Sequence, residues 1–179
     1  MRKGKQILSV LLVSIIALCA LLVPAAAASS TQVATNDWYL IGIGKHLDWA
    51  GSSAYSSEFK TAVSTWNGYK SGVIRKSTWY RQTDVTISDY TEESSVAGVT
   101  SSSGTIKFNS YRMSGYNTTR KLNVCLHELG HALGLAHNQS GDAMYTYVSN
   151  VTSLSANDKA SYDSSYARCS IFGRGFKLS

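Results

Sequence analysis

His127, Glu128, His131 and His137 fall in the run His-Glu-Leu-Gly-His-Ala-Leu-Gly-Leu-Ala-His, residues 127–137. Three of the chain's four histidines lie in that window. Three neutral imidazoles can hold Zn²⁺ and leave its fourth position open to water. Water held there has its pKa lowered to about 7. Glu128, beside the first histidine, is placed to take the water's proton and pass it to a leaving amine. The spacing therefore predicts one catalytic Zn²⁺ on His127, His131 and His137, with Glu128 as general base. A structural zinc site more usually shows four protein ligands, often cysteines.

These residues need an element that turns them to one side. His127 and His131 are four apart, so a helix puts both on one face, with Glu128 about 100° round. Leu122, Cys125, Leu126, Leu129, Ala132 and Leu133 fall on the opposite side and are expected in the core. The spacing predicts a helix from about Arg120 to Leu133. Six more helical residues would carry His137 about 9 Å past His131 along the axis. The helix must therefore stop, and Gly134 can end it, because glycine accepts positive φ.

The extended motif HExxHxxGxxH, followed by Met144 in Gly141-Asp142-Ala143-Met144-Tyr145, resembles the metzincin metallopeptidases. The resemblance implies that Met144 is the Met-turn residue beneath the metal. Ala143-Met144-Tyr145 and Leu154-Ser155-Ala156-Asn157-Asp158 are similar to segments of the matrixin-like branch, where the aspartate matching Asp158 supports the Met-turn. Asn138 stands where matrixins usually have serine, and Thr146 where a proline follows. Acidic residues that help to bind calcium in matrixins have no counterpart where the strand runs into Asn109-Ser110-Tyr111. The resemblance therefore gives no support to structural Ca²⁺ or a second zinc. It does imply an α+β zincin domain, a twisted and mostly parallel sheet of about five strands with three helices.

Residues 1–28 read as a signal peptide: Arg2, Lys3 and Lys5, an apolar stretch from Ile7 to Val23, and an Ala-x-Ala site before Ser29. Removing it leaves residues 29–179, the size of one domain. Fourteen basic residues then face 11 acidic ones, a net +3 rather than +6. No basic run is interleaved with aromatics, so no nucleic-acid partner is expected. The remaining chain is low in charge and rich in Ser, Thr and Tyr. It is expected to be a secreted, extracellular, bacterial monomer with no stable membrane association after cleavage. Cys125 and Cys169 are expected to form a disulfide, as secreted pairs usually do. No cysteine lies between the signal and the motif helix, so latency by a blocking thiol is not expected.

Along the chain, Trp38–Ile43 reads as the first strand, with His46 in the loop after it. Ser53–Tyr69 has helical spacing, Val73–Lys76 and Val85–Asp89 read as strands, and Val96–Thr100 with Thr105–Phe108 flank the turn Ser101–Gly104. Ser155 and Asp158 form a capping box for a last helix that Gly173 would end. By the resemblance, Val96–Thr100 is the edge strand that takes up extended substrate, which places Val96, Ala97 and Gly98 at the substrate, together with Tyr145 or Tyr147. A sheet edge can bind a peptide as an added strand. The expected activity is endopeptidase action on protein or peptide by a zinc-activated water. The alternative is a narrower zinc hydrolase, or a binding protein built on the zinc site, acting on a non-peptide or very narrow target.

Overall fold

The computed structural model describes residues 30–173, so the signal segment lies outside the described residues. The elements run β1 (Leu47–Gly51), α1 (Ser56–Tyr69), β2 (Ile74–Lys76), β3 (Val85–Tyr90), β4 (Gly98–Ser101), β5 (Thr105–Asn109), α2 (Ser110–Met113), α3 (Thr118–Ala132) and α4 (Ala156–Ala167). The five strands form one sheet in the order β2-β1-β3-β5-β4. Every pairing is parallel except β4 with β5, which is the antiparallel hairpin turned at Ser101–Gly104. The expected α+β fold with a mostly parallel sheet is the observed one, and β4 lies at its edge.

Alternation explains the sheet's buried face. Val85 and Ile87 of β3, and Ile106 and Phe108 of β5, are buried, two residues apart on one side. Against them lie Phe59 and Trp66 of α1; Phe59 meets Trp49 and Phe108 edge to face. Helix α1 also packs on α3, where the Trp66 indole N–H donates to Leu126 O at 3.1 Å. Burying each large side chain of this core contributes roughly 1.5–3 kcal/mol. The rigid floor so formed carries α3, and α3 carries the motif.

Four expectations need correction. Trp38–Ile43 is not a strand. Its apolar residues Leu40 and Ile41 are buried, but Leu40 N–H donates to Ala132 O, as Asn36 N–H does to Gly134 O. The segment crosses the end of α3 and satisfies carbonyls there, a partner that periodicity does not reveal. The first strand is β1, so His46 precedes it, with Nδ1 at Gly72 O. An acidic residue inside it, Asp48, is nevertheless buried, because Arg75 sits opposite in register on β2 and grips both carboxylate oxygens at 3.0 and 2.7 Å.

The edge strand begins at Gly98 rather than Val96. Buried Asn109 captures the preceding loop, donating from Nδ2 to Val96 O and Glu92 O and from its backbone N–H to Ala97 O. The same side chain caps α2 by accepting from Tyr111 N–H. Helix α4 ends at Ala167, six residues before Gly173.

The expected disulfide is absent. Cys125 and Cys169 are both free and buried. Cys125 lies in the first half of α3, facing the charges of Glu58, Glu128 and Asp89. Cys169 lies beyond α4, its thiol donating to Ser165 O and its charged neighbours being Lys45 and Arg168. Ser165 in turn touches Leu133, at the far end of α3 and about 12 Å along the axis from Cys125.

Candidate active site

Helix α3 opens at Asn117, whose side chain accepts from Arg120 N–H, and closes at Gly134 with φ of +93°. Its end is doubly bonded: Gly134 N–H donates to His131 O and Leu135 N–H to Gly130 O. This Schellman arrangement requires left-handed backbone at Gly134 and turns the chain back. Leu135, just past the turn, offers its carbonyl to His131 Nδ1 at 2.9 Å. The helix stop therefore also fixes a ligand ring.

The other ligand is fixed by the next turn. His127 Nδ1 meets Ala143 O at 3.1 Å. Ala143 and Met144 donate their N–H groups to the Asp158 carboxylate at 2.9 and 3.2 Å, and Met144 O accepts from Asn138 N–H at 2.8 Å. Met144 is buried, its sulfur against Gly130 in the turn of α3 that lies between His127 and His131. Asp158 also closes the capping box with Ser155 at the start of α4. One buried carboxylate thus joins α4 to the turn that holds Met144.

The three rings converge. Each of His127, His131 and His137 brings a ring nitrogen within 4.8 Å of the others, and the Nε2 atoms of His127 and His131 are 3.0 Å apart. Carbonyls only accept, so both Nδ1 atoms carry the hydrogen, and both Nε2 atoms are lone pairs facing each other. Neither can donate to the other, and a cation between them resolves the arrangement. Tetrahedral Zn–N bonds of about 2.0–2.1 Å separate neighbouring nitrogens by roughly 3.3 Å, close to this spacing. Burial lowers the His127 pKa to about 3, helped by His131, and lowers His131 as well, which keeps both rings neutral as metal ligands must be. The donor set fits zinc.

Glu128 is 5% exposed and lies beneath the edge strand. Thr100 Oγ1 sits 2.7 Å from Glu128 Oε2 and 2.9 Å from its backbone oxygen. A Cβ at position 98 would come within 2.7–2.9 Å of Glu128 Cγ, Oε1 and Cδ, so glycine there makes room for the carboxylate. Burial pushes the Glu128 pKa up to about 7, against the pull of the Thr100 hydroxyl.

Histidines and Glu128 open onto a cleft of about 670 Å³ that runs along β4. Val96, Ala97, Gly98, Tyr145 and Tyr147, all singled out in the sequence, line it. Sequence reasoning missed Thr100, and it missed Asn123. Asn123 is buried on α3 and pins the opposite wall, donating to Val151 O and accepting from Ser149 N–H. Arg112, Tyr116 and Arg120, also missed, line one end. The helical spacing of Arg120, Asn123, Val124 and His127 was the signal available for part of this wall.

No curated protein matches the chain. Among solved structures it is similar to high choriolytic enzyme 1, a hatching-enzyme zinc protease from the medaka fish Oryzias latipes, at 20% identity and a TM-score of 0.34. That match covers 58% of this chain and 54% of the other, so this chain spans about half the length of that protein. The family model described as matrixin, a peptidase family, matches residues 76–167, from the end of β2 to the end of α4. That segment is just over half of the sequence and contains the three clustered histidines, Glu128, Met144 and Asp158, and the chain belongs to the matrixin family.

Proposed function

We propose that the protein is a secreted zinc-dependent endopeptidase acting on protein or peptide, as a monomer outside a bacterial cell. The observation that carries this is the pairing of two carbonyl-locked histidines, lone pairs face to face, with a buried carboxylate in the same cleft. The signal-like residues 1–28 and the low charge of the rest support export. Among the described residues, no helix is long and apolar enough to cross a membrane.

His127 and His131 would hold zinc through Nε2, joined by His137. Bound there, zinc supplies Lewis acidity, lowering the pKa of water to about 7 and polarising a carbonyl. The chain's own residues do the rest. Glu128 takes a proton from the attacking water at Oε1, while Thr100 holds Oε2. The same carboxyl then delivers the proton to the leaving amine. Edge strand β4 binds the substrate backbone, with Val96, Ala97 and Gly98 along one side and Tyr145 and Tyr147 along the other.

The test is cleavage of unfolded casein and a mixed peptide library by the zinc-loaded protein, with and without chelator, beside Glu128→Ala. The expected result is chelator-sensitive cleavage that falls by roughly 10²–10⁴-fold in the variant while one zinc per chain is retained. Undiminished cleavage by Glu128→Ala would overturn the role of Glu128. A zinc-loaded protein that cuts nothing would turn the assignment toward a non-peptide hydrolase or a binding protein.

A further inference from the structure

We propose that Arg112 and Arg120 make this cleft selective for acidic substrates, binding an Asp or Glu side chain near the scissile bond. The inference rests on the endopeptidase reading above and names the substrate class for that site. Arg120 lies seven residues before His127 on α3, which is within about 20° of the same helical face and roughly 10 Å away along the axis. Asn123 and Val124 fill the turn between, and all four residues line the cleft. One helix row therefore leads from a metal ligand to a guanidinium. An extended peptide advances about 3.3 Å per residue, so the charge faces a substrate position roughly two or three residues from the bond being cut.

The second guanidinium comes from a different element. Arg112 lies in the last turn of α2, and its Cζ is 5.9 Å from the Tyr116 ring centroid, with the Arg120 Cζ 6.0 Å from the same centroid. The ring holds two like charges at one end of the cleft. Among the described residues, the ion pairs are Lys70–Asp163 and Arg75–Asp48, and neither cleft arginine takes part in one. Glu128 is the single acidic side chain among the cleft residues, and its carboxylate is buried under Gly98. Two guanidinium groups set 5.9 and 6.0 Å from one ring centroid, in a cleft whose single acid is the buried Glu128, gain from a shared anion. Guanidinium forks match a carboxylate in shape as well as charge. Arginines that served only to brace α2 against α3 through Tyr116 would affect stability and leave substrate choice alone.

Peptides matched in all but one residue, Glu against Gln and Asp against Asn at each position around the cut, separate these outcomes. The measured quantity is the ratio of kcat/KM for acid over amide. For the wild type this ratio is expected to be about tenfold or more at one or two adjacent positions, and to shrink as salt is added. It should approach one in Arg112→Gln/Arg120→Gln and favour Lys in Arg120→Glu. A wild-type ratio near one, or a preference that survives the double variant, overturns the inference while leaving the peptidase intact. A parallel arm measures binding of a fluorescein-labelled peptide alternating Ala and Glu, and of its Ala-Gln counterpart, to the zinc-loaded protein. Should no peptide be cut, the endopeptidase reading fails and this arm still judges the arginines: tighter binding of the Glu peptide, lost in the double variant, upholds their acid selectivity, and equal binding overturns it.

Discussion

Thr100 stands close to two oxygens of one residue, and that places it beside the proton that Glu128 would move. A hydrogen bond to a charged group contributes about 1.5–3 kcal/mol, so Thr100→Val is expected to lower kcat by roughly ten- to a hundredfold. KM and zinc content should hardly change, and Thr100→Ser should restore the rate; a valine variant with normal kcat would show that the contact is only structural. Glu128 itself is a stability liability in the metal-free protein. Its folded pKa is raised from 4.5 to about 7, so the stabilising contribution is complete below about 4.5 and is lost as pH rises through 7. In chelator-treated protein at pH 8, Glu128→Gln should therefore be more stable than wild type by about 1–3 kcal/mol, and at pH 4.5 the two should melt together. Residues of this kind are legible where they are close in sequence: the three histidines and the carboxylate that the structure gathers at one cleft fall within eleven positions. Thr100, 28 residues away, and Asn123, which reads as an ordinary polar helix residue, acquire meaning only when a strand or wall is laid beside them.

At the scale of elements, the helix stop and the Met-turn act through backbone carbonyls. Gly134 has φ of +93°, and a Cβ there would meet Tyr39 Cβ at 2.9 Å. Gly134→Ala should destabilise by about 1–3 kcal/mol and, by shifting Leu135 O away from His131, also weaken zinc binding. Competition with a chelating dye reads the second effect separately from the first. Elements were readable from pattern where one face is buried and the other wet, as in α1, β3, β5 and α3. Trp38–Ile43 misled because a nearly continuous apolar run carries no period, and the Leu40 N–H goes to the end of a helix. β1 was overlooked because Asp48 breaks its apolar run, an interruption tolerated only through Arg75 on the adjacent strand. The start of β4 was misplaced because Asn109 takes the carbonyl of Val96.

For the molecule as a whole, stability rests on one core and, under the proposed function, on a metal, with no covalent tie between Cys125 and Cys169. A bond between them would have added roughly 4 kcal/mol in the chain-entropy model. Reductant should therefore leave the melting temperature unchanged, and both thiols should alkylate on unfolding without reduction. A melting temperature that drops with reductant would show a bond in solution. Zinc at 100 times its dissociation constant should add about 2.7 kcal/mol.

Asp158 carries a consequence for how the molecule comes into being. Its carboxylate is the acceptor for the N–H groups of Ala143 and Met144, yet it arrives 14 residues after the methionine, in the last helix. A chain still being synthesised, or one truncated before that residue, has all three histidines and Glu128 but not the clasp that orients the carbonyl behind His127. The order in which the residues are translated thus puts the clasp after everything it holds, so the turn behind His127 gains its last hydrogen bonds only when α4 is in place.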